Sequence, residues 1–401
     1  MAEARAFALL LCVAALVFAD QAFVGTARNG SLMLRPADGQ QMLIAGTDIH
    51  ALVSTVQRQG ELLDTLVKHP RQCTTVGDIT TITDLINPGW WGGVLASNGR
   101  IYAFPHISTS VLIIDPVTNT ADTTTIVIPG LAGASWWAGG VLANAKIWGI
   151  PGESPSVLII DPATNVADTT TITGLGGDAK WHGCVLANNG KIYGVPRNSP
   201  AVLILDPSTN TTDTTTITGL IGKRKWFEGV LAGNGMIYGM PYESNSVLII
   251  NPDTNTVDIT TITGLGESSR WEGGVLAPNG KIYGIPSSSS SVLIIDPATN
   301  TVDTTSITGL TGGTKWVGGV LANNGKIYGI PRYANEVLII DPATNSVDTT
   351  TISDLSALGN MKSGGGGVLA GNGMIYCIPW MKVKSILILR QECMLSLPSS
   401  L

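Results

Sequence analysis

The chain has 401 residues, a formal net charge of −6, and 13% charged against 44% apolar residues. That balance describes a globular protein with a large core and supplies no basic surface for nucleic acid. No P-loop, GxSxG, HExxH or CxxC occurs, which removes the commonest phosphate-binding, hydrolase and metal-site signatures.

Residues 1–19 read as a secretory signal peptide. Arg5 supplies the charged region, and the apolar run Ala6–Ala19 is too short for a comfortable membrane span. Val17-Phe18-Ala19 places small residues where a signal peptidase cuts. Cleavage after Ala19 implies a secreted or cell-surface protein; the alternative is an uncleaved anchor. Residues 20–45 have no period and read as a flexible lead. Asn29 is a glycosylation acceptor there, and Asn210 is a second one further along. Residues 46–72 are expected to hold a short amphipathic helix. Ile49, Leu52, Val56, Gln59, Leu63 and Leu66 follow a 3-4 spacing within 46–68. Such a helix either pairs chains as the stalk of a homo-oligomer or lies against the rest of the molecule.

From 73 to 393 the chain repeats. Val94, Val141, Val185, Val230, Val275, Val320 and Val368 mark seven copies at spacings of 44–48 residues, a period that signals a solenoid or a propeller. The copy at 271–310 reads as four short strands: GGVLA (A), KIYGIP (B), SVLIID (C) and the Thr-rich DTTSITGL (D). Asn-Gly joins A to B in six copies, as in Asn279-Gly280, and marks a tight hairpin; copy two reads Asn144-Ala145 instead. Asp-Pro-x-Thr-Asn ends strand C. The expected fold is therefore all-β, a seven-bladed β-propeller of four-stranded blades preceded by the short helix. The D-type strand 77–85 has no A, B or C before it, and Gly366–Leu389 has no D after it. Strand 77–85 is expected to complete the last blade and close the ring, leaving 394–401 as a tail.

The units resemble the surface-layer (YVTN-like) type of propeller repeat, whose signature includes a VIDPATN-like strand end. Here that stretch is IIDPATN at 294–300 and 339–345. GKIYGIP is also distantly similar to the second strand of kelch repeats. The resemblance covers 77–393. It implies the propeller fold and no particular activity, since propellers host unrelated functions.

Internal comparison of the copies sorts the remaining residues. The aromatic of strand B (Tyr102, Trp148, Tyr193, Tyr238, Tyr283, Tyr328, Tyr376) and the Pro that ends it barely vary and read as packing. The B–C and D–A loops vary, and in a propeller they share one face, so that face is expected to carry function. A Trp enters strand A there in six blades: Trp90, Trp137, Trp181, Trp226, Trp271 and Trp316. Lys180, Lys225, Arg270 and Lys315 directly precede four of them. The ring reads either as wedges between blades or as stacking platforms beside cations, suited to glycans. His182, Glu228 and Glu272 enter strand A near the channel mouth and are the candidates for acid–base chemistry. The leading expectation is a secreted binding or interaction module for a glycan or an extracellular protein, with no cofactor, metal or nucleic acid. The alternative is a propeller-based lyase or hydrolase using the His/Glu set. The Asp residues at the end of strand C and the start of strand D read as turn caps rather than paired Ca²⁺ ligands. Register places Cys73 and Cys393 at Ala298 and Thr299 of the 271–310 copy, neighbours in one turn, so a disulfide is expected to lock the ring.

Overall fold

The computed structural model describes residues 23–26, 32–35, 42–44, 73–74, 79–129, 131, 136–266, 270–381, 383–389 and 392–393. The signal peptide at 1–19, Asn29, the helix at 46–72 and the tail 394–401 lie outside those residues. The short N-terminal helix therefore has no support here; the helical segment among the described residues is one 3₁₀ turn, Leu355–Leu358. The chain divides into two units, Met1–Gln72 and Cys73–Leu401. In the first, Phe23–Thr26, Leu32–Arg35 and Met42–Ile44 form an antiparallel meander inside the stretch expected to be a flexible lead. Strands of three or four residues are too short to register as a period-2 pattern.

The second unit is a seven-bladed propeller. Six blades are four-stranded antiparallel sheets in sequence order, as in Trp271–Leu276, Ile282–Pro286, Leu293–Asp296 and Thr301–Asp303 of blade five. Blade seven takes Gly367–Leu369, Ile375–Cys377 and Ile386–Leu389 from the C-terminal side and Ile79–Ile82 from the N-terminal side. Just beyond, Cys73 pairs directly with Cys393 across a two-stranded ladder. Among the residues whose side chains are described there is no disulfide, and Cys184 and Cys377 are free thiols.

Strand D is shorter and earlier than the Thr-rich pattern implies. In the intact blades it ends at its Asp, as in Thr120–Asp122, and the threonines follow in a bend. Asp122 Oδ1 accepts from the Thr124 backbone N–H (2.7 Å), the Thr124 hydroxyl (2.9 Å) and the Thr125 N–H (3.1 Å), and Oδ2 accepts from the Thr125 hydroxyl. These bonds hold the Asp122 carboxyl down at about 2 against the opposing effect of burial. β-branched composition suggests strand, but local side-chain bonds to the backbone win. The carboxylates of strands C and D do not face each other. Asp296 pairs with Thr301 and Asp303 with Ile294, and each caps its own turn.

The cores lie between blades. One gathers Val275, Tyr283 and Ile285 of blade five with Trp316, Ile327 and Leu338 of blade six. The recurring polar positions staple the same seams. Tyr283 donates its hydroxyl to Asn345 Oδ1 (2.6 Å) in the Asp-Pro-x-Thr-Asn turn of the next blade. Asn279 Nδ2 donates to Tyr283 Oη (3.0 Å) and to the Pro342 carbonyl (2.9 Å). The same clasp closes on Asn119, Asn165, Asn255 and Asn300. Both partners are distant in sequence, so the hairpin signal foretold the turn but not the clasp.

Candidate functional site

Each entering Trp is core. The six are at most 3% exposed, and each indole N–H donates to a backbone carbonyl, as Trp271 does to Ser291 (2.8 Å). No indole face is open for stacking. Three of the four expected cations are also inside. Lys315 Nζ donates to the carbonyls of Ser287 (3.0 Å), Ser289 (2.7 Å) and Gly312 (3.0 Å), and Lys180 and Lys225 make the matching three bonds in their blades. Burial lowers all three to about 8, so they stay charged at neutral pH. They tie each D–A loop to the preceding blade's B–C loop.

The ring of varied chemistry sits one residue further in. Residues directly after the Trp (Trp91, His182, Phe227, Glu272) and directly after the Pro of strand B (His106, Arg197, Tyr242, Arg332, Trp380) converge on the channel mouth, joined by Trp136. His182 meets the edge of Trp91 (5.1 Å between ring centres) and lies against Phe227 (4.1 Å), which stacks on Tyr242 (4.3 Å). His106 lies against Trp136 (4.9 Å) and Trp380 (5.7 Å), and Trp380 meets Trp91 (5.2 Å). The rings form one continuous floor.

Guanidinium groups cover this floor. Arg332 sits 4.4 Å over Trp380, and Arg197 5.0 Å over Phe227. Arg332 Nη1 pairs with buried Glu272 Oε2 (3.1 Å), and Ser287 donates to Oε1 (3.2 Å). Arg224 and Arg270 share Glu243, at 3.0 Å each, over the Tyr242 ring. Among the described residues Arg197 makes no ion pair. Burial first, and Arg197 and Arg332 after it, lower His106 to about 4; His182 is pushed well below its ordinary value by burial, Arg197, His106 and Arg332. Both imidazoles are neutral at pH 7.

Unsatisfied polar atoms mark a candidate site. Among the described residues, the buried side-chain nitrogens without a partner are His106 Nδ1, His182 Nδ1, Arg197 Nε, Arg270 Nε, Arg332 Nε and Trp380 Nε1. All six belong to this one mouth. Buried polar groups are nearly always bonded, so a cluster of exceptions points to a missing partner. Of the candidates named from sequence, His182, Glu272 and Arg270 reach this cluster, and Glu228 lies one layer deeper. Arg197, Arg332, His106 and Trp380 were not singled out. Their signal is the position after the strand-B Pro, which reads His, Gly, Arg, Tyr, Ser, Arg and Trp around the ring.

No family model and no curated protein matches the chain. Solved structures do match in fold. A streptogramin B lyase superimposes at TM-score 0.61 with 12% identity, covering 79% of this chain and 98% of its own. A catalytically inactive virginiamycin B lyase from Staphylococcus aureus, solved with quinupristin, gives 0.62 at 11% identity, covering 78% and 99%. An extracellular domain from B. thetaiotaomicron gives 0.57 at 11%, covering 79% of this chain and 42% of that one. These likenesses show the seven-bladed fold. The surface-layer resemblance rests on the repeat sequence, including IIDPATN at 159–165, 294–300 and 339–345. Among the described residues no helix is long and apolar enough to cross a membrane.

Proposed function

We propose that the protein is a secreted or cell-surface binding module that recognises an acid-bearing glycan at the channel mouth. The observation that carries this reading is Arg197, a half-buried guanidinium without a carboxylate and with an orphaned Nε. Leaving such a charge unpaired is costly, and its planar fork suits a carboxylate or sulfate. Trp380 and His106, both half-buried, supply ring surface beside it for a sugar. Neutral His182 and His106 add one donor and one acceptor each.

An array of neutral, uronate-bearing and sulfated glycans tests this. Acidic glycans are expected to bind, with at least a tenfold loss in Arg197→Gln. Binding confined to neutral glycans, or unchanged in Arg197→Gln, overturns it. The lyase or hydrolase reading keeps one supporting observation: a neutral imidazole, His182, at the same channel mouth as an Arg-paired carboxylate, Glu272. Product formation from an acidic glycan that disappears in His182→Ala would establish turnover.

A further inference from the structure

Strand A bulges near the axis in six blades, where its pairing with strand B shifts register, as between Trp271 and Gly274. The residue at this place has positive φ in every blade. It is Gly92, Gly139, Gly183, Gly273, Gly318 and Gly366 in six of them, and Glu228, at φ 58°, in blade four. Glycine adopts that backbone freely and other residues do so at a cost. Blade four thus carries a strained residue where six internal copies show the relaxed solution.

The glycines leave an axial cavity of about 180 Å³, and Glu228 projects into it. A Cβ placed on Gly273 would lie 2.6 Å from Glu228 Oε2, and one on Gly183 2.8 Å from Glu228 Cα. The carboxylate thus occupies room that only glycines on the neighbouring blades provide. No hydrogen bond or ion pair to it is present among the described residues. The titratable groups acting on it and beside it are Glu272 and Cys184, neither of which supplies positive charge. Backbone strain reduces stability, and such a residue persists at functional sites.

We propose that Glu228 is the receptor for one monovalent cation in the axial channel, either an alkali-metal ion or a protonated amine. A carboxylate offers only acceptors, so its partner must donate or be cationic. One negative charge matches one positive charge. Divalent ions are bound with more carboxylates, and among the described residues no group of three His, Cys, Asp or Glu gathers. Burial, with Glu272, raises the carboxyl to about 7, so an ionised fraction is available at neutral pH. The inference is independent of the anion reading at the mouth.

Thermal unfolding of the whole protein tests it in chloride salts of sodium, potassium, ammonium, methylammonium and choline at equal ionic strength. At least one small cation is expected to raise the wild-type Tm by a few degrees relative to bulky choline. A response to sodium or potassium alone identifies an alkali ion, and a response to ammonium and methylammonium identifies an amine. Glu228→Gln is expected to lose the response. Glu228→Gly is expected to lose it while melting above wild type in choline. Equal response in wild type and Glu228→Gln overturns the proposal, as does no response in wild type, or stabilisation by divalent ions only.

A different observation carries a second inference. Five turn asparagines are held by the Tyr clasp of the preceding blade. The sixth, Asn210, is not, because blade two carries Trp148 in place of Tyr and lacks the Asn-Gly hairpin; the Trp148 indole turns to the Ala143 carbonyl (3.0 Å). Asn210 is exposed, and among the described residues no side-chain bond to it is present. The residue two positions on is Ala121, Ala167, Val257, Val302 or Val347 at the clasped turns, and Thr212 after Asn210. The acceptor triplet for N-linked glycan is thus completed only where the amide is free. We infer that Asn210 carries an N-linked glycan. Mass spectrometry of protein secreted from eukaryotic cells, after glycosidase treatment, is expected to find Asn210 occupied. Val302→Thr writes the same triplet onto the clasped turn of Asn300, where occupancy is expected to fail or to lower Tm. An empty Asn210, or an occupied Asn300 with unchanged Tm, overturns the inference.

Discussion

Replacing Lys315 by Met separates the structural role of the buried lysines from a ligand-binding one. Met keeps most of the aliphatic stem, so the packing over Trp316 is largely retained. What is lost is three charge-assisted bonds to carbonyls. The three acceptors fare differently. Gly312 is exposed and its carbonyl rehydrates, and the Ser287 carbonyl keeps the Lys315 backbone N–H at 2.8 Å. The Ser289 carbonyl, in a buried residue, is left without a donor. One orphaned buried carbonyl costs about 1–3 kcal/mol, and the weakened bond at Ser287 adds about 1 kcal/mol. Release of a buried ammonium returns part of this, so the expected net loss is about 2–3 kcal/mol. Urea unfolding followed by Trp fluorescence measures it, with glycan binding assayed in parallel. The expected outcome is reduced stability with unchanged affinity. Unchanged stability with weakened binding would refute the reasoning and return the lysines to the binding surface.

Tyr283→Phe removes the hydroxyl that links Asn279 and Asn345. It is expected to cost about 1–2 kcal/mol in urea unfolding, with no effect on binding; no loss would mean that the clasp is incidental. Non-reducing peptide mapping is expected to find Cys73 joined to Cys393, since the backbone register already opposes them. Closing so long a loop is worth roughly 5 kcal/mol by chain entropy, and free thiols at both positions would refute the link. His106 is held at about 4 in the folded state, below its unfolded value, so the unfolded chain takes up the proton first. Wild-type stability is therefore expected to fall as pH drops from about 6.5 to about 4, by up to about 3 kcal/mol, while His106→Asn is flatter across that window. Parallel profiles for the two proteins would contradict the burial of that imidazole.

The blade was legible in the sequence because its determinants are local and occur seven times. Asn279-Gly280 makes a hairpin from its own backbone preferences, Asp-Pro-x-Thr-Asn makes a turn, and VLIID is a strand whatever surrounds it. Repetition at 44–48 residues then leaves closure as the economical way to bury each blade's faces. The unmatched strand 77–85 pointed to where the ends meet, and the Cys73–Cys393 pairing agrees with it. The sequence also directed attention to the varied loop face, and within it to His182 and Glu272.

Tertiary structure decided what those positions do. Trp271 and Lys315 sit in the pattern of a binding site, an aromatic beside a cation. Only the neighbouring blade shows that the indole is wedged and the ammonium is consumed by carbonyls from a loop 26–28 residues away. The mouth itself is assembled from residues such as His106, Arg197, Trp380 and Arg332, which no stretch of chain brings together. Their proximity follows from the closure of seven blades on one axis, and so do the orphaned nitrogens that mark the candidate site. Glu228 combines both sources. Its departure from glycine is visible by aligning the copies, but that it is strained, unpaired and faces a cavity depends on the neighbouring glycines that surround it only after the ring has closed.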